Sequence, residues 1–226
     1  MAIESISLPT MKPRILILAL AFITTAQAAD KIAAISEAWQ KSITAESSGD
    51  YPGALESVLA FKSAGGETYL AAVRAGWLSY LNKDYDKAAQ FYTTAAKQEP
   101  RAMTPHLGLV SVYQAQNKTE DILRAARAGL NLDQFNRPLL LIAGEILYNQ
   151  KDYRKAEVYF ERAHKLQPED PIAMSWFGWA HISQGQAKLA APTFEKLLQI
   201  NPEGYFVRDG YAITHPGPPP APPGRR

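Results

Sequence analysis

The sequence contains no cysteine. Disulfide bonds, thiolate catalysis and cysteine metal ligands are therefore excluded as explanations of what this chain does. The sequence also has little charge imbalance, with 24 basic and 22 acidic residues and a formal net charge of +2. Such a balance gives no electrostatic reason to expect nucleic acid or an acidic membrane surface as a partner.

Motifs of enzyme chemistry are missing as well. The four histidines, His106, His164, His181 and His215, have no metal-ligand companions at helical spacing. No nucleophile elbow, HExxH zinc motif or phosphate-cradling glycine loop occurs. We therefore predict that the protein is not an enzyme and uses no metal or cofactor. His181 is interpreted as a core histidine.

A long apolar run lies near the N-terminus. Lys12 and Arg14 precede the apolar residues 15–23, and Ala26-Gln27-Ala28 follows them. This order is typical of a secretory signal peptide, and the run is shorter than the ~20 residues that span a bilayer. We expect residues 1–28 to be removed. The mature chain would then be exported to a bacterial periplasm, or secreted, without stable membrane insertion. Met1 and Met11 are alternative starts.

The sequence does contain a motif that repeats at a fixed spacing. Residues 151–168 read KDYRKAEVYFERAHKLQP, and residues 83–100 read KDYDKAAQFYTTAAKQEP. Weaker copies lie at 117–134, 49–66 and 185–202, so the five copies are evenly spaced with no insertion or deletion between them. A fixed period of this length is typical of a solenoid, in which each unit covers the apolar flank of the next.

Each unit is interpreted as two helices joined by a short turn. Apolar residues such as Ala156 and Phe160 follow helical spacing after the turn. Glycine recurs inside the first helix, at Gly76, Gly144 and Gly178, although a helical glycine costs about 1 kcal/mol relative to alanine. We interpret these glycines as points where the paired helix packs closely.

These features resemble the tetratricopeptide repeat (TPR), whose period is about 34 residues. The fourth unit matches best, through Gly144, Tyr153, Ala156, Phe160, Ala163 and Pro168. The resemblance covers roughly residues 35–202 and implies an all-α fold, a right-handed α-solenoid of about five helix-turn-helix repeats. Within an array at 29–202, the repeats would lie near residues 35–68, 69–102, 103–136, 137–170 and 171–204.

Residues 203–214 follow the array and are interpreted as a C-terminal cap, because a repeat array needs cover for its last helix pair. The apolar residues available for that cover are Tyr205, Phe206, Val207, Tyr211 and Ile213. Residues 215–226 are rich in proline, and we expect a disordered, polyproline-like tail there. Docking of this tail into an aromatic groove stays open as an alternative.

The resemblance implies that the first helices of the repeats line a concave groove that binds the partner. By register, the groove would receive Trp39, Arg74, Trp77, Tyr80, Leu107, Gln114, Glu145, Tyr148, Trp176 and Trp179. Trp77, Tyr80, Tyr148 and Trp179 are expected to be exposed there. For Trp39 and Trp176 a core position is an equal alternative. The Lys and Asn set with which some TPR domains grip a C-terminal carboxylate does not occur, so acidic chaperone tails are not expected as ligands.

These inferences favour a non-catalytic scaffold or adaptor of the cell envelope that binds a protein or peptide partner in an aromatic groove. The alternative is a glycan-binding module in envelope or exopolysaccharide assembly, with the same aromatic side chains stacked on sugar rings. Self-association into a larger array is a third hypothesis. The sequence names neither the partner nor the pathway.

Overall fold

The computed structural model describes residues 13–204, 206–215 and 217, with side chains from residue 26 onward. Within these residues the secondary structure is eleven α-helices and no strand, which confirms the all-α class. In chain order the helices are α1 (Pro13–Ser47), α2 (Tyr51–Ser63), α3 (Thr68–Leu81), α4 (Tyr85–Gln98), α5 (Thr104–Ala115), α6 (Thr119–Leu132), α7 (Arg137–Asn149), α8 (Tyr153–Leu166), α9 (Pro171–Ser183), α10 (Ala187–Ile200) and α11 (Val207–Thr214).

The chain forms two compact units, Met1–Asp84 and Tyr85–Arg226. In the first unit, α1 packs against α2 and α2 packs against α3. The described side chains of residues 26–34 are all exposed, whereas Ala38 and Ser42 are buried. Burial of α1 among the described side chains therefore begins after residue 34. The start of the expected signal peptide, residues 1–12, lies outside the described residues.

The second unit contains α4 to α11. Each of these helices packs against the next one, and α9 also contacts α7 and α11. The largest fully buried side chains of this unit come from both helices of the repeats, and they include Val112, Leu139, Leu140, Phe160, Met174, Phe194 and Leu197. Its core is therefore continuous from one repeat to the next, as expected for a solenoid.

The same turn geometry recurs between the two helices of all five repeats. Positive φ angles occur at Gly49, Lys83, Asn117, Lys151 and Gly185, which hold the same position in the five successive repeats. The residue after each of them donates its backbone N–H to the carbonyl oxygen five residues earlier. The backbone nitrogen of Asp152, for example, lies 2.9 Å from the carbonyl oxygen of Leu147. This is the Schellman ending of a helix. All five units therefore turn from first to second helix in the same register.

Two of the first-helix glycines lie against aromatic rings of the paired helix. A Cβ at Gly178 would come 2.7 Å from Cε2 of Phe194, and one at Gly144 would collide with the ring of Phe160. Both rings are fully buried. The interpretation of these two glycines as points of close helix packing is therefore confirmed.

The short helix α11 continues the repeat register. Its Gly210 faces the ring of Phe194 in the way that Trp176, one repeat earlier, faces Phe160 with a centroid distance of 5.3 Å. Its Val207 is 1% exposed and corresponds to the fully buried Ala173. Helix α11 thus occupies the place of the first helix of a sixth repeat and covers the last helix pair.

The cover comes from fewer side chains than expected. Phe206 and Ile213 keep 51% and 52% of their surface exposed, so they supply little of it. Val207 and Tyr211 do pack against the core of α9 and α10. Tyr205, together with residues 216 and 218–226 of the expected disordered tail, lies outside the described residues.

Candidate partner-binding site

A cavity of about 530 Å³ lies in the second unit where α7, α9 and α11 come together. These are two first helices and the helix that takes the next first-helix place. The described residues that line it are Tyr148, Asn149, Pro171, Ile172, Ser175, Trp176, Trp179, Asn201, Gly204, Phe206, Val207 and Asp209. A cavity of this volume is in the range of small-molecule and side-chain binding pockets.

One wall of the cavity consists of Tyr148 and Trp176. Their ring centroids are 5.4 Å apart at an interplanar angle of 68°, which is an edge-to-face contact. The Tyr148 hydroxyl lies 2.6 Å from Oγ of Ser183, and Trp176 stacks on the buried ring of Phe160. Both rings are therefore fixed before any ligand arrives, and such a preformed wall reduces the ordering cost of binding.

The cavity lining also contains Trp179. Its ring makes edge-to-face contacts with Phe194 at 5.8 Å and with Phe206 at 6.0 Å. Its Nε1 is buried and has no hydrogen-bond acceptor among the described residues. A buried indole N–H normally has a partner, and leaving one unsatisfied costs about 1–3 kcal/mol. Because Nε1 is not accessible to solvent, Trp179 contributes its ring to the cavity and not its N–H.

Phe206 forms the edge of the cavity and has a strained backbone. It precedes α11 with φ 57°, in the left-handed region. That conformation costs a residue with a Cβ roughly 1–2 kcal/mol. Its ring nevertheless stays half exposed beside Trp179. Strain of this kind often occurs at binding sites.

The electrostatic character of the cavity is simple. Among the described lining residues, Asp209 is the one charged side chain, and none is cationic. No ion pair joins Asp209 to another described residue. The cavity therefore combines apolar aromatic walls with one acidic group.

A different arrangement occurs in the first unit, around Arg74. The Arg74 Nε donates a hydrogen bond to Ser42 Oγ at 2.8 Å, and Nη2 lies 2.8 Å from Oε2 of Glu46. The guanidinium also lies over the ring of Trp39, 5.0 Å from its centroid. The strong cation predicted for the groove is thus held in an ion pair inside the unit.

Glu46 also organises the exposed aromatic pair of the first unit. It accepts a hydrogen bond from Trp77 Nε1 at 2.8 Å. Trp77 is 43% exposed and stacks on Tyr80 with a centroid distance of 5.9 Å. This surface, consisting of Trp39, Glu46, Arg74, Trp77 and Tyr80, is called the polar cluster below. Its principal polar groups bind one another.

The structure thus separates the predicted site residues into two sets. Tyr148, Trp176 and Trp179 share the cavity, whereas Trp39, Arg74, Trp77 and Tyr80 belong to the polar cluster. Glu145 is exposed on α7 and is not among the residues that line the cavity.

The expected exposure differs between two equivalent tryptophans. Trp77 is exposed as predicted, but Trp179 is partly buried because it packs against the core around Phe194. Tyr80 and Tyr148, also predicted to be exposed, are partly buried. Trp39 and Trp176, for which a core position was an equal alternative, are half-buried beside Phe61 and Phe160.

Sequence reasoning missed several residues. Glu46, Ile172, Phe206 and Asp209 were not assigned to a site, although the structure places each at the polar cluster or the cavity. The repeat period of the sequence would have indicated Phe206 and Asp209. Continuing the repeat period by one step would have made α11 a first helix and its residues part of the groove.

The described residues show no sign of a metal site or a membrane span. Nowhere among them do three or more His, Cys, Asp or Glu side chains gather in a way that could hold a metal ion. No described helix combines the length and apolar character needed to cross a bilayer. His181 is 7% exposed and pairs through Nδ1 with Gln186 at 2.9 Å, so its interpretation as a core histidine is confirmed.

Comparison with known proteins agrees with the fold and the turns. The tetratricopeptide repeat family model matches residues 40–104 and 141–205, more than half of the chain. The chain therefore belongs to the tetratricopeptide repeat family. Proteins of this family are generally non-catalytic scaffolds whose stacked repeats present protein-binding surfaces.

Solved structures of similar fold come from several bacteria. A TPR protein from Parabacteroides merdae is 20% identical, covers 80% of this chain and 72% of its own, and has a TM-score of 0.66. MamA from Desulfovibrio magneticus is 15% identical over 75% of this chain and 96% of its own, with a TM-score of 0.61. YrrB, described as a TPR protein with an unusual peptide-binding site, is 15% identical over 75% and 88%, with the same TM-score of 0.61. At these identities the likeness shows the fold alone.

One curated relative is the peroxisomal targeting signal receptor of Saccharomyces cerevisiae. It is 22% identical over 157 residues, which cover 64% of this chain. The chain spans about a quarter of the length of that relative, since the match covers 25% of it.

Proposed function

We propose that this chain is an exported scaffold that binds a segment of a partner protein in the cavity of its second unit. The observation that carries the proposal is the cavity itself, whose aromatic walls are held in place by ring contacts within the unit. An apolar segment would cover the rings of Tyr148 and Trp176. Buried aromatic anchors of this kind dominate binding energy in protein interfaces.

Two similar proteins support a peptide as the ligand. YrrB carries a peptide-binding site according to its description, and the yeast relative is named as the receptor of a targeting signal. The support concerns the class of ligand. Neither relative indicates which protein this chain binds.

The proposed export rests on the sequence pattern of residues 1–28 and on the exposure around the cleavage site. Cutting after Ala28 would leave 29–47 as the remainder of α1, including the buried Ala38 and Ser42. The described side chains from 26 to 34 are exposed, so cleavage there removes no described buried side chain. Expression in a bacterium followed by fractionation and intact-mass measurement tests this. We expect a periplasmic chain that begins at Ala29, and a chain that retains residues 1–28 would contradict it.

The binding proposal is tested by affinity capture from envelope extract. The bait is residues 29–226, and the variant is Ile172→Asp, which places a charge on a cavity residue that is 56% exposed. The matched control is Leu189→Asp, which places the same charge on a 62% exposed residue of α10 away from the cavity. A third bait, Trp77→Ala, reports on the polar cluster.

We expect a partner that the parent chain and Leu189→Asp retain and that Ile172→Asp loses. Equal capture by Ile172→Asp and Leu189→Asp would place binding on another face. Loss with Trp77→Ala alone would move the binding surface to the polar cluster.

A glycan is the second candidate ligand, because the cavity combines the rings of Tyr148 and Trp176 with the amides of Asn149 and Asn201. Aromatic faces on which a sugar ring can stack, together with amide groups that hydrogen-bond its hydroxyls, suit a glycan. If no bait retains a protein, we would titrate tryptophan fluorescence with soluble glycans, and a saturable response lost in Ile172→Asp would favour this candidate. A dimer or larger species by light scattering would instead favour self-association.

A further inference from the structure

We propose that the cavity is occupied by this chain's own proline-rich tail, residues 220–223, in the polyproline II conformation. The tail would then compete with the partner for the same surface. The competition rests on the proposed function, whereas the occupancy itself does not.

The first argument is chemical fit. A polyproline II segment makes no internal hydrogen bonds, so its carbonyl groups remain free to accept. Such segments dock in grooves lined with aromatic side chains, at low entropic cost. The cavity presents the rings of Tyr148, Trp176 and Trp179 beside the side-chain amides of Asn149 and Asn201. A prolyl carbonyl would accept a hydrogen bond from one of these amides.

The second argument is reach. The described chain leaves α11 at His215, whose Nε2 lies 2.8 Å from Oε1 of Glu195 and whose ring stacks on Tyr211 at 4.1 Å. The start of the tail is therefore fixed. The cavity lies at the other end of α11, about 12 Å away at 1.5 Å per residue. Residues 216–226 could extend about 34 Å at ~3.1 Å per residue, so about four residues suffice to return.

The third argument is charge. Residues 216–226 include Arg225 and Arg226 and contain no acidic residue. Asp209 is the one charged side chain among the described lining residues. The tail is thus cationic where the cavity is acidic, and the attraction favours this segment over an acidic one.

The test compares two chains, residues 29–226 and residues 29–217, in solution. Indole N–H signals are read by two-dimensional NMR with ¹⁵N labelling, and the Trp179 signal is assigned by its loss in Trp179→Phe. The probe is a synthetic peptide of residues 215–226 with blocked ends. Its control replaces Pro218, Pro219, Pro220, Pro222 and Pro223 by alanine and keeps both arginines.

We expect the Trp179 indole signal of the shorter chain to move on titration with the peptide. Its end point should be the position that the longer chain shows without any peptide. With a tethered segment at an effective concentration on the order of 1 mM and a dissociation constant of about 0.1 mM, the longer chain should bind added peptide about tenfold more weakly. The alanine peptide should leave the signal in place.

Identical Trp179 signals in the two peptide-free chains would overturn the proposal. Equal binding of the alanine peptide would overturn the polyproline conformation, because charge alone would then explain the contact. If dilution of the longer chain moves its Trp179 signal to that of the shorter chain, the tail of a second copy is the occupant. The test uses no partner protein, so it can fail while affinity capture succeeds, and the reverse also holds.

Discussion

The polar cluster of the first unit and the cavity of the second unit are built on the same repeat positions. Glu46, Arg74 and Trp77 correspond, three repeats later, to Tyr148, Trp176 and Trp179. In the first unit this set is an acid, a base and a tryptophan whose N–H donates to the acid at 2.8 Å. In the second unit all three are aromatic, and the tryptophan N–H has no acceptor among the described residues.

The difference shows how one backbone register gives either a surface whose side chains pair with one another or a cavity with aromatic walls. In the polar cluster, Glu46 forms an ion pair with Arg74 and accepts a hydrogen bond from Trp77, although Arg74 Nη2 makes no hydrogen bond to a described residue. A ligand would have to displace these contacts. In the cavity, Tyr148 at the position of Glu46 turns its hydroxyl to Ser183 instead. The N–H of Trp179 is left without an acceptor among the described residues. Three sets of substitutions and one pH profile test how the two units differ.

The largest effect is expected for Glu46→Ala. It removes the partner of Arg74, whose side chain is only 14% exposed, and the acceptor of Trp77. Because Arg74 would be left partly buried without its carboxylate, we expect a loss of about 2–3 kcal/mol in the stability of the first unit. Hydrogen exchange of α3 measures it. Glu46→Gln, which keeps an acceptor, should lose less, and a change below about 0.5 kcal/mol in Glu46→Ala would mean that the polar cluster does not stabilise the unit.

Replacing each tryptophan by phenylalanine isolates the two N–H groups. Trp77→Phe removes a formed hydrogen bond and should cost about 1 kcal/mol, while Trp179→Phe removes an unsatisfied donor and should cost clearly less. Denaturant unfolding of both variants gives the comparison. Equal losses would contradict the contrast between the polar cluster and the cavity, because the indole hydrogens would then be equivalent.

The left-handed turns allow a smaller test in each unit. Gly49 in the first unit and Lys151 in the second hold the same turn position, with φ angles of 78° and 63°. A Cβ at Gly49 would meet nothing within 4 Å, so Gly49→Ala should cost about 1 kcal/mol through the backbone alone. Lys151→Gly should stabilise by a few tenths of a kcal/mol, since glycine's unfolded-state entropy offsets part of the relief. Thermal unfolding of both variants checks the opposite signs, and a loss in Lys151→Gly would refute them.

The smallest effect concerns pH and the second unit. All four histidines follow Asp84, and burial lowers the pKa of His106 and of His164 below the usual 6.5. The unfolded chain then binds protons more readily, so the stability that neutral histidine provides is present above about pH 6.5 and lost as the pH falls.

Hydrogen exchange, corrected for its intrinsic pH dependence, should show α5 and α8 losing protection between pH 7.5 and 5.5 more than α2. His164→Gln should reduce the difference in α8. An equal loss of protection in α2, whose unit has no histidine, would contradict the assignment.

Much of the fold can be predicted from the sequence because the sequence pattern repeats at a fixed period. The positions of Gly144, Phe160 and Lys151 repeat with the helix and turn geometry they serve, so the repeat predicted both the close packing and the turn. A period identifies which face a residue occupies. It does not identify which residue will pair with it there.

The candidate site was predicted less completely for that reason. Trp77 meets Glu46 across 31 positions of sequence, and Trp179 meets Phe206 across an irregular connection with a left-handed residue. Both contacts depend on neighbouring helices and not on the periodic pattern. Asp209 differs, because one more step of the repeat period would have placed it on a first helix, at the position of Ser175.

The unbroken register of the turns has a consequence for how this molecule can change over generations. Loss of one complete block, for example residues 171–204, would bring Gly210 of α11 against Phe160 in place of Trp176. Helix α11 would still pack against a buried aromatic ring at the end of the array. Gene duplication and deletion can therefore lengthen or shorten the protein in whole steps, while the last helix keeps its place at the end.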